Sequence, residues 1–185
     1  YISKGLALRD QYKQSELLNI VFGPHATYTV SEPALKRIGM LAAELDLPVH
    51  IHLHETAAEV ADAECATGER PLQTLNDLGL LGPRTQCVHM TELNDADIEL
   101  LAASRAHVIH CPGSNMKLAS GICPVTRLQA AGVNVALGTD SAASNNNLDM
   151  LGEMRSAALL AKLGSDDASA LPAAKYKELY HSGHV

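Results

Sequence analysis

The chain has 185 residues, of which 46% are hydrophobic and 19% charged, and its net charge is −7 at pH 7. This composition predicts a folded globular core of single-domain size and excludes a disordered chain. The acidic balance, one Phe and no Trp exclude a nucleic-acid binder, which needs basic patches and stacking aromatics. No apolar run reaches membrane-spanning length and no signal-peptide pattern opens the chain, so we expect a cytoplasmic protein without membrane contact. The four scattered cysteines contain no C-x-x-C pair, which predicts reduced thiols.

Strands and helices alternate along the sequence. The first 16 residues are predicted to contain the end of a helix. Short apolar runs predict five strands, at 18–22, 49–54, 85–89, 106–110 and 133–137. Caps and helical spacing predict helices at 32–45, 57–65, 71–78, from 95 onward, at 124–131 and at 148–163. Ser31 is the predicted N-cap of the first of these helices, and Asn94 that of the helix from 95, with Asp97 at the capping-box spacing. The segment 111–121 is predicted to be a loop.

The stretch 49–56 reads V-H-I-H-L-H-E-T and alternates strictly. An alternating strand places its aliphatic residues on one face and His50, His52 and His54 on the other. A dry core does not favour a histidine face, because a buried imidazole needs a partner for each ring nitrogen. We expect His50 and His54 to be structural. His52 is the candidate functional residue, followed at H-x-x-E spacing by Glu55, which leaves the strand.

A polar side chain that can take part in chemistry follows or ends each predicted strand. Five strand–helix repeats predict a parallel α/β sheet with right-handed crossovers. An open flavodoxin-like sheet also fits five strands. A (β/α)8 barrel is favoured, because there the carboxyl ends of all strands converge on one axis. These strand-end residues are His25, His52, His89, His110 and Asp140.

The most specific candidate is Asp140, in the sequence G-T-D-S after an apolar strand. A carboxylate among histidines can bind a metal and take a proton from bound water. The structural alternative is a helix cap or an Asx turn. His89 is a candidate acid or oxyanion stabiliser. His110 fits a structural role equally well.

The remaining histidines are not assigned to the site. His107 lies at the other end of its predicted strand, and His181 and His184 lie in a polar tail, where we expect surface residues. A further alternative is that the three histidines of the alternating stretch bind a metal among themselves.

Five motifs in this order resemble the metal-dependent amidohydrolase superfamily. The resemblance covers about residues 1–165 and is strongest to the group that deaminates S-adenosylhomocysteine and 5′-methylthioadenosine, with triazine chlorohydrolases as relatives. The sequence departs from the usual pattern at Thr27, where the superfamily has Pro. The motifs are F-G-P-H-A-T-Y-T-V-S, I-H-L-H-E-T, C-V-H-M-T, H-C-P-G-S-N-M-K-L-A-S-G and G-T-D-S-A-A-S-N-N-N-L-D-M.

The resemblance implies a role for each matching residue. His52 is implied to be the metal ligand from the fifth barrel strand, and Asp140 the metal ligand and general base from the eighth. Glu55 is implied to contact substrate and to carry a proton to the attacked ring, and His89 to polarise the reacting centre. His25 matches a substrate-contacting position. The implied cofactor is one Zn²⁺ or another divalent metal per site, and the implied partner is a small-molecule substrate.

The resemblance also implies that parts of the superfamily barrel are absent from these residues. Strands one to three, with their H-x-H metal ligands, and the small β-sandwich domain are not represented, while residues 166–185 form an atypical tail. We therefore predict a barrel segment of a hydrolytic deaminase. The alternatives are an inactive barrel fragment that persists by self-association as a homo-oligomer, and a guanine- or triazine-type amidohydrolase.

Overall fold

The computed structural model describes residues 2–175. Within that range four strands form one sheet in chain order, β1 (Val49–Leu53), β2 (Thr85–His89), β3 (His107–His110) and β4 (Val135–Leu137). Every neighbouring pair is parallel. The predicted parallel α/β architecture is confirmed.

Helices precede, connect and follow the strands, because a parallel connection must cross from one end of the sheet to the other. Five of the six predicted helices start and stop within two residues of the expected positions, and the sixth, for which no end was predicted, starts at Asp95 as expected. In the described part of the chain the helices are α1 (Ile2–Tyr12), α2 (Glu32–Leu45), α3 (Ala57–Thr67), α4 (Pro71–Asp77), α5 (Asp95–Ser104), α6 (Pro112–Lys117), α7 (Val125–Ala130) and α8 (Met150–Ser165).

Local sequence signals fix several helix ends. Asn94 and Asp97 exchange side-chain and backbone hydrogen bonds in a full capping box at the start of α5, as predicted. Gly68 ends α3 with φ 81°, a left-handed conformation that glycine adopts without steric strain. Ser31 precedes α2 as predicted, but its side chain makes no capping hydrogen bond.

The two faces of the sheet differ. Val49, Ile51 and Leu53 of β1 are at most 3% exposed and belong to the hydrophobic core formed with the helices. On the opposite face His50 pairs in register with Gln86 and is partly exposed. The alternation of the sequence therefore sets one dry face, under the helices, and one polar face.

The first predicted strand is much shorter than expected. Only Phe22 pairs with Val49, through an isolated parallel bridge. Leu17, Leu18 and Val21 are exposed by 92, 49 and 43%, so in the described chain no neighbour covers that side of the segment. Without such a neighbour the apolar run 18–22 does not form a hydrogen-bonded strand at the β1 edge of the sheet.

The predicted loop 111–121 is also wrong in part, because α6 occupies its first half. Pro112 stands in the first turn of this helix, where its missing N–H is not needed. The short, polar sequence of α6 carries no helical periodicity of apolar residues, and tertiary contacts decide its conformation.

No helix among residues 2–175 is long and apolar enough to cross a membrane. Leu171 is 4% exposed and packs into the core beyond α8. The predicted surface residues His181 and His184 lie outside the described residues.

Candidate functional site

The five residues that the sequence assigns to the site lie together at the carboxyl edge of the sheet, and they are His25, His52, Glu55, His89 and Asp140. The rings of His52 and His89 stack with centroids 5.5 Å apart, and the His25 ring lies 5.1 Å from that of His52. Nε2 of His89 is 3.7 Å from a carboxylate oxygen of Glu55 and 3.9 Å from one of Asp140. The structure thus brings together side chains that are up to 115 residues apart, as the span 25–140 shows.

The backbone is strained where the strands leave the sheet. His54, His89 and Asp140 have φ angles of 50, 78 and 59°, although none of them is glycine. Each such residue costs about 1–3 kcal/mol and persists only where the surroundings impose it. Strain of this kind, concentrated at one edge, is typical of a site whose side chains must be aimed.

His52 presents one ring nitrogen to the site. Its Nδ1 donates a hydrogen bond to the His25 carbonyl at 2.7 Å, so Nδ1 carries the proton. Nε2 makes no hydrogen bond to the described residues and keeps its lone pair. A metal-binding histidine characteristically donates its other N–H to a carbonyl in this way.

Asp140 is held by three donors. Ser114 and Ser144 donate to Oδ2 at 2.6 and 2.8 Å, and the Ser141 N–H donates to Oδ1 at 2.7 Å. Burial by itself would raise the pKa of this carboxyl, but the hydrogen bonds outweigh burial and the pKa lies below its ordinary value. The residue does not cap α8, a role filled by Asp149, so the helix-cap alternative is wrong.

Glu55 is aimed by its own backbone. Its N–H donates to the Glu59 carboxylate at 2.7 Å, and its carbonyl accepts from Thr91 Oγ1 at 2.7 Å. Burial raises the pKa of the Glu59 carboxyl, which faces backbone N–H groups. From the residues that the structure describes, the Glu55 carboxylate accepts only a 3.3 Å hydrogen bond, from Ser120, and it stays 21% exposed, so it is available to a ligand.

A buried carboxylate on α8 holds the start of α6, next to the site. Glu153 of α8, 4% exposed, accepts hydrogen bonds from the Gly113 N–H at 2.8 Å and from Asn145 Nδ2 at 2.7 Å. A Cβ at Gly113 would collide with both partners, so only glycine fits there. This contact fixes the start of α6 and, through it, Ser114 beside Asp140.

His25 stands at the rim of the cluster. Its Nδ1 lies 2.8 Å from Thr29 Oγ1, and its ring meets Tyr28 edge-on at a centroid distance of 6.2 Å. Tyr28 is 66% exposed. His25 and Tyr28 therefore lie at the mouth of the site.

Four other histidines of the described chain do not join the cluster, namely His50, His54, His107 and His110. His54 is fully buried, donates from Nδ1 to the Glu92 carbonyl and accepts from the Leu72 N–H at Nε2. The strand ends before it, so the expected common face with His50 and His52 is wrong for His54. The alternative that His50, His52 and His54 bind a metal among themselves is therefore also wrong. His54 is structural, as predicted.

His107 and His110 occupy opposite ends of β3. His107 has both ring nitrogens bonded, to the Pro83 carbonyl and to Asn134, as a structural residue requires. His110 is 1% exposed, and neither ring nitrogen has a hydrogen-bond partner among the described residues. Burial lowers the pKa of His110 to about 3, helped by the nearby His89, so the ring is neutral.

Several site residues were not singled out for chemistry from the sequence. Ser114 and Asn115 stand in the fourth motif, and their position there was the available signal. Ser144 stands in the fifth motif, whereas Glu59 and Glu153 gave no signal, because they act through helices that only folding brings to the site.

A separate cavity of about 690 Å³ lies between α1, α2 and the segment 20–25. Its walls are mainly apolar, with Arg9 and Arg37 among the lining residues, and it reaches the cluster only at His25. It contains no pair of acid and base groups, so the strand-end cluster is the candidate site.

The donor set fits a metal ion in part. A catalytic zinc site generally has three protein ligands and an open position. Within residues 2–175 no three His, Cys, Asp or Glu side chains are grouped closely enough to hold a metal. Nε2 of His52 and the Asp140 carboxylate are donors of the kinds that zinc accepts.

A parallel α/β sheet with acid, base and metal-donor side chains at the carboxyl ends of its strands defines the class of (β/α)-barrel enzymes. The model of the amidohydrolase family matches residues 3–180. The chain belongs to the amidohydrolase family, as its motifs suggested.

Individual relatives of the chain are named by their reactions. The chain is 58% identical over 173 residues to the 5-methylthioadenosine/S-adenosylhomocysteine deaminase of Teredinibacter turnerae, covering 94% of this chain and 39% of that protein. It is 50% identical over 156 residues to the 5'-deoxyadenosine deaminase of Methanothermobacter thermautotrophicus, covering 84% and 36%. The crystal structure of an adenosine deaminase from Xanthomonas campestris with bound zinc is 51% identical with a TM-score of 0.93, covering 95% of this chain and 40% of that one.

These comparisons also define the extent of the fold. The chain spans about two fifths of the length of the relatives that it matches. The fold is a partial (β/α)8 barrel of the amidohydrolase type, as predicted. The boundary expected at residue 165 between barrel and tail stays a prediction.

Proposed function

We propose that the protein containing this chain is a zinc-dependent hydrolytic deaminase of 5′-modified adenosines such as 5′-methylthioadenosine and S-adenosylhomocysteine. The observation that carries the proposal is the cluster in which His89 Nε2 lies 3.7 Å from the Glu55 carboxylate and 3.9 Å from that of Asp140. It occurs in a chain 58% identical to a deaminase of that specificity. In the reaction water adds to the ring carbon that bears the amino group, and ammonia leaves.

Each residue of the cluster has a role suited to its surroundings. Asp140, whose pKa is below its ordinary value, is a carboxylate at neutral pH and accepts the proton of the attacking water. Glu55, partly exposed and weakly hydrogen-bonded, delivers a proton to the ring nitrogen beside the attacked carbon. His89 Nε2, between these two carboxylates, holds the charge that develops at that carbon.

The metal is part of the proposal. His52 Nε2 and the Asp140 carboxylate would hold zinc, with the other ligands supplied by an H-x-H from the first barrel strand of the intact protein. Zinc lowers the pKa of bound water to about 7 and so supplies a nucleophile at neutral pH. The hydrogen bond from His52 Nδ1 to the His25 carbonyl keeps Nε2 turned toward the site.

The test is to purify the intact protein, determine its zinc content and measure ammonia release from 5′-methylthioadenosine, S-adenosylhomocysteine, guanine and a chlorotriazine. We expect zinc and release from the two adenosine derivatives. A protein with neither zinc nor ammonia release contradicts the proposal, and preference for guanine or the triazine corrects the substrate class.

A matched variant tests the assignment of the proton donor. Glu55→Gln keeps the shape of the side chain but cannot deliver a proton. We expect kcat to fall by about 10²–10⁴ with the zinc content unchanged. Loss of zinc from this variant would show that Glu55 belongs to the metal site instead.

Two further predictions belong to the intact protein. A cytoplasmic location and the ability to self-associate stay predictions, which cell fractionation and light scattering would test. A monomeric intact protein with activity would argue against the hypothesis of an inactive, self-associating fragment.

A further inference from the structure

His89 is held by an amide on its side away from the two carboxylates. Its Nδ1 lies 2.8 Å from Oδ1 of Asn115, in a contact between two buried side chains. His89 is 1% exposed and Asn115 is fully buried. An amide oxygen can only accept, so Nδ1 is the donor and carries a proton.

Asn115 is itself fixed in place. Its N–H donates to the Cys111 carbonyl at 3.0 Å, and its carbonyl accepts from the Ser120 N–H at 2.9 Å. The peptide groups on both sides of the side chain are therefore bound within the turn formed by α6. The amide oxygen reaches His89 from a rigid support.

The other end of the amide is not satisfied. Asn115 Nδ2 is buried and has no hydrogen-bond partner among residues 2–175. A buried N–H group without a partner costs about 1–3 kcal/mol, so stability alone does not favour asparagine here. Within the described chain, the one hydrogen bond that the side chain does make goes to His89.

The contact determines which ring nitrogen faces the reaction. With Nδ1 bound to Asn115, Nε2 points to the space between Glu55 and Asp140, at 3.7 and 3.9 Å from their oxygens. A ring that turned about its Cβ–Cγ bond would lose the amide contact and move Nε2 out of this position.

We propose that Asn115 is a positioning residue for His89, which keeps Nε2 directed at the attacked carbon. The inference rests on the proposed function for its catalytic consequence, but its structural part can be tested without any activity. Asn115 does not touch the substrate in this role and acts through His89.

The first experiment uses the intact protein labelled with [¹⁵N]histidine. The Nδ1–H of His89 should give an imidazole N–H signal in ¹H–¹⁵N spectra, because a buried, hydrogen-bonded proton exchanges slowly with water. The signal is assigned by its loss in His89→Gln. Absence of a protected His89 signal in the native protein overturns the proposal without any Asn115 variant.

The second experiment compares two Asn115 variants. Asn115→Leu removes the acceptor at similar volume, and we expect loss of the protected signal and a fall in kcat of about 10–100-fold with little change in KM. Asn115→Asp keeps an acceptor oxygen and should retain the signal and at least about ten times the kcat of the leucine variant. Equal loss in both variants, or native kcat in Asn115→Leu, overturns the proposal.

A control separates positioning from general damage. Thr85→Val removes another buried hydrogen bond, from Thr85 Oγ1 to the Leu80 carbonyl, on the same strand as His89 but at its other end. We expect native kcat and an unchanged His89 signal. A native protein that shows the protected signal but deaminates no adenosine derivative would refute the proposed function and leave the hydrogen bond established.

Discussion

At the amino end of the sheet His107 has both ring nitrogens bonded, to a backbone carbonyl and to Asn134. At the carboxyl end His52 has one nitrogen bonded, and Nε2 has no partner in the described chain. The neighbouring His50 binds Gln86 across the strands. The same residue type thus stabilises the fold at one end and is kept available for chemistry at the other.

The difference shows how to separate structural from functional histidines. A structural imidazole is satisfied by its surroundings, since an unpartnered buried polar atom is unfavourable. A functional imidazole has one nitrogen fixed by the protein and the other directed at the ligand. Substitutions at the two ends of the sheet should therefore affect different measurements.

The largest effect is expected at the carboxyl end, for Asp140→Asn. The amide cannot accept the proton of water and is a poorer metal ligand, so kcat should fall by about 10³-fold. Ammonia release from 5′-methylthioadenosine measures the effect. Ser144→Ala, which removes one of the three donors to the same carboxylate, is the control and should lose far less. Similar losses in both would show that the carboxylate is not the reacting group.

The second prediction compares two histidines on one strand. His52→Ala should lower zinc affinity by at least about 100-fold, because it removes a ligand, whereas His50→Ala should leave zinc affinity unchanged. Zinc titration followed by competition with a chromogenic chelator measures both affinities. Equal losses would mean that the amino end of the sheet also takes part in metal binding.

The third prediction concerns pH and His110. Its pKa of about 3 in the folded protein is far below the value of about 6.5 expected in the unfolded chain. Between these values the unfolded chain binds a proton that the folded protein does not, so stability falls as pH decreases below about 6.5. From pH 7 to pH 5 this loss is about 2 kcal/mol.

Removing the histidine should remove that loss. The difference in unfolding free energy between His110→Leu and the native protein should shift by about 2 kcal/mol in favour of the variant when the pH is lowered from 7 to 5. Urea unfolding at each pH measures the difference, which should be constant above pH 7.5 or so. A difference that does not change with pH would mean that His110 has the same pKa in the folded protein as in the unfolded chain, and would contradict its burial as a neutral ring.

The smallest effect is expected at the amino end. His107→Leu removes hydrogen bonds to Pro83 and Asn134, and each net hydrogen bond contributes about 1 kcal/mol. We expect a loss of about 1–2 kcal/mol in unfolding free energy and an unchanged kcat. A fall in kcat without loss of stability would contradict the assignment of a structural role to the amino end of the sheet.

Much of the fold was predictable because its signals are local. The strand 85–89 was predicted with its final boundaries, and the capping box at Asn94 was visible in the sequence. The strand 18–22 and the loop 111–121 were predicted less well. The segment 18–22 pairs with β1 only at Phe22, because a longer strand would need further backbone beside it. The conformation of α6 depends on contacts with Glu153 and Asp140 rather than on its own periodicity.

The residues that meet at the carboxyl edge were predictable from the sequence, and the residues that support them were not. His52, Glu55, His89 and Asp140 could be named because each lies near the end of a predicted strand, and parallel strands end at one edge. Their chemical roles stay predictions. Asn115 stood in a recognised motif, yet its contact with His89 joins β2 to α6 and was not visible along the chain.

By itself the sequence determined the order of strands and helices, the apolar face of the sheet and the residues that meet at its carboxyl edge. These follow from side-chain periodicity and from the geometry of parallel strands, which are properties of short segments. Only the tertiary structure decided which nitrogen of each histidine is bound, because its partners come from distant segments. Hydrogen bonding across the fold therefore distinguishes His52 from His54, two residues further along the same stretch.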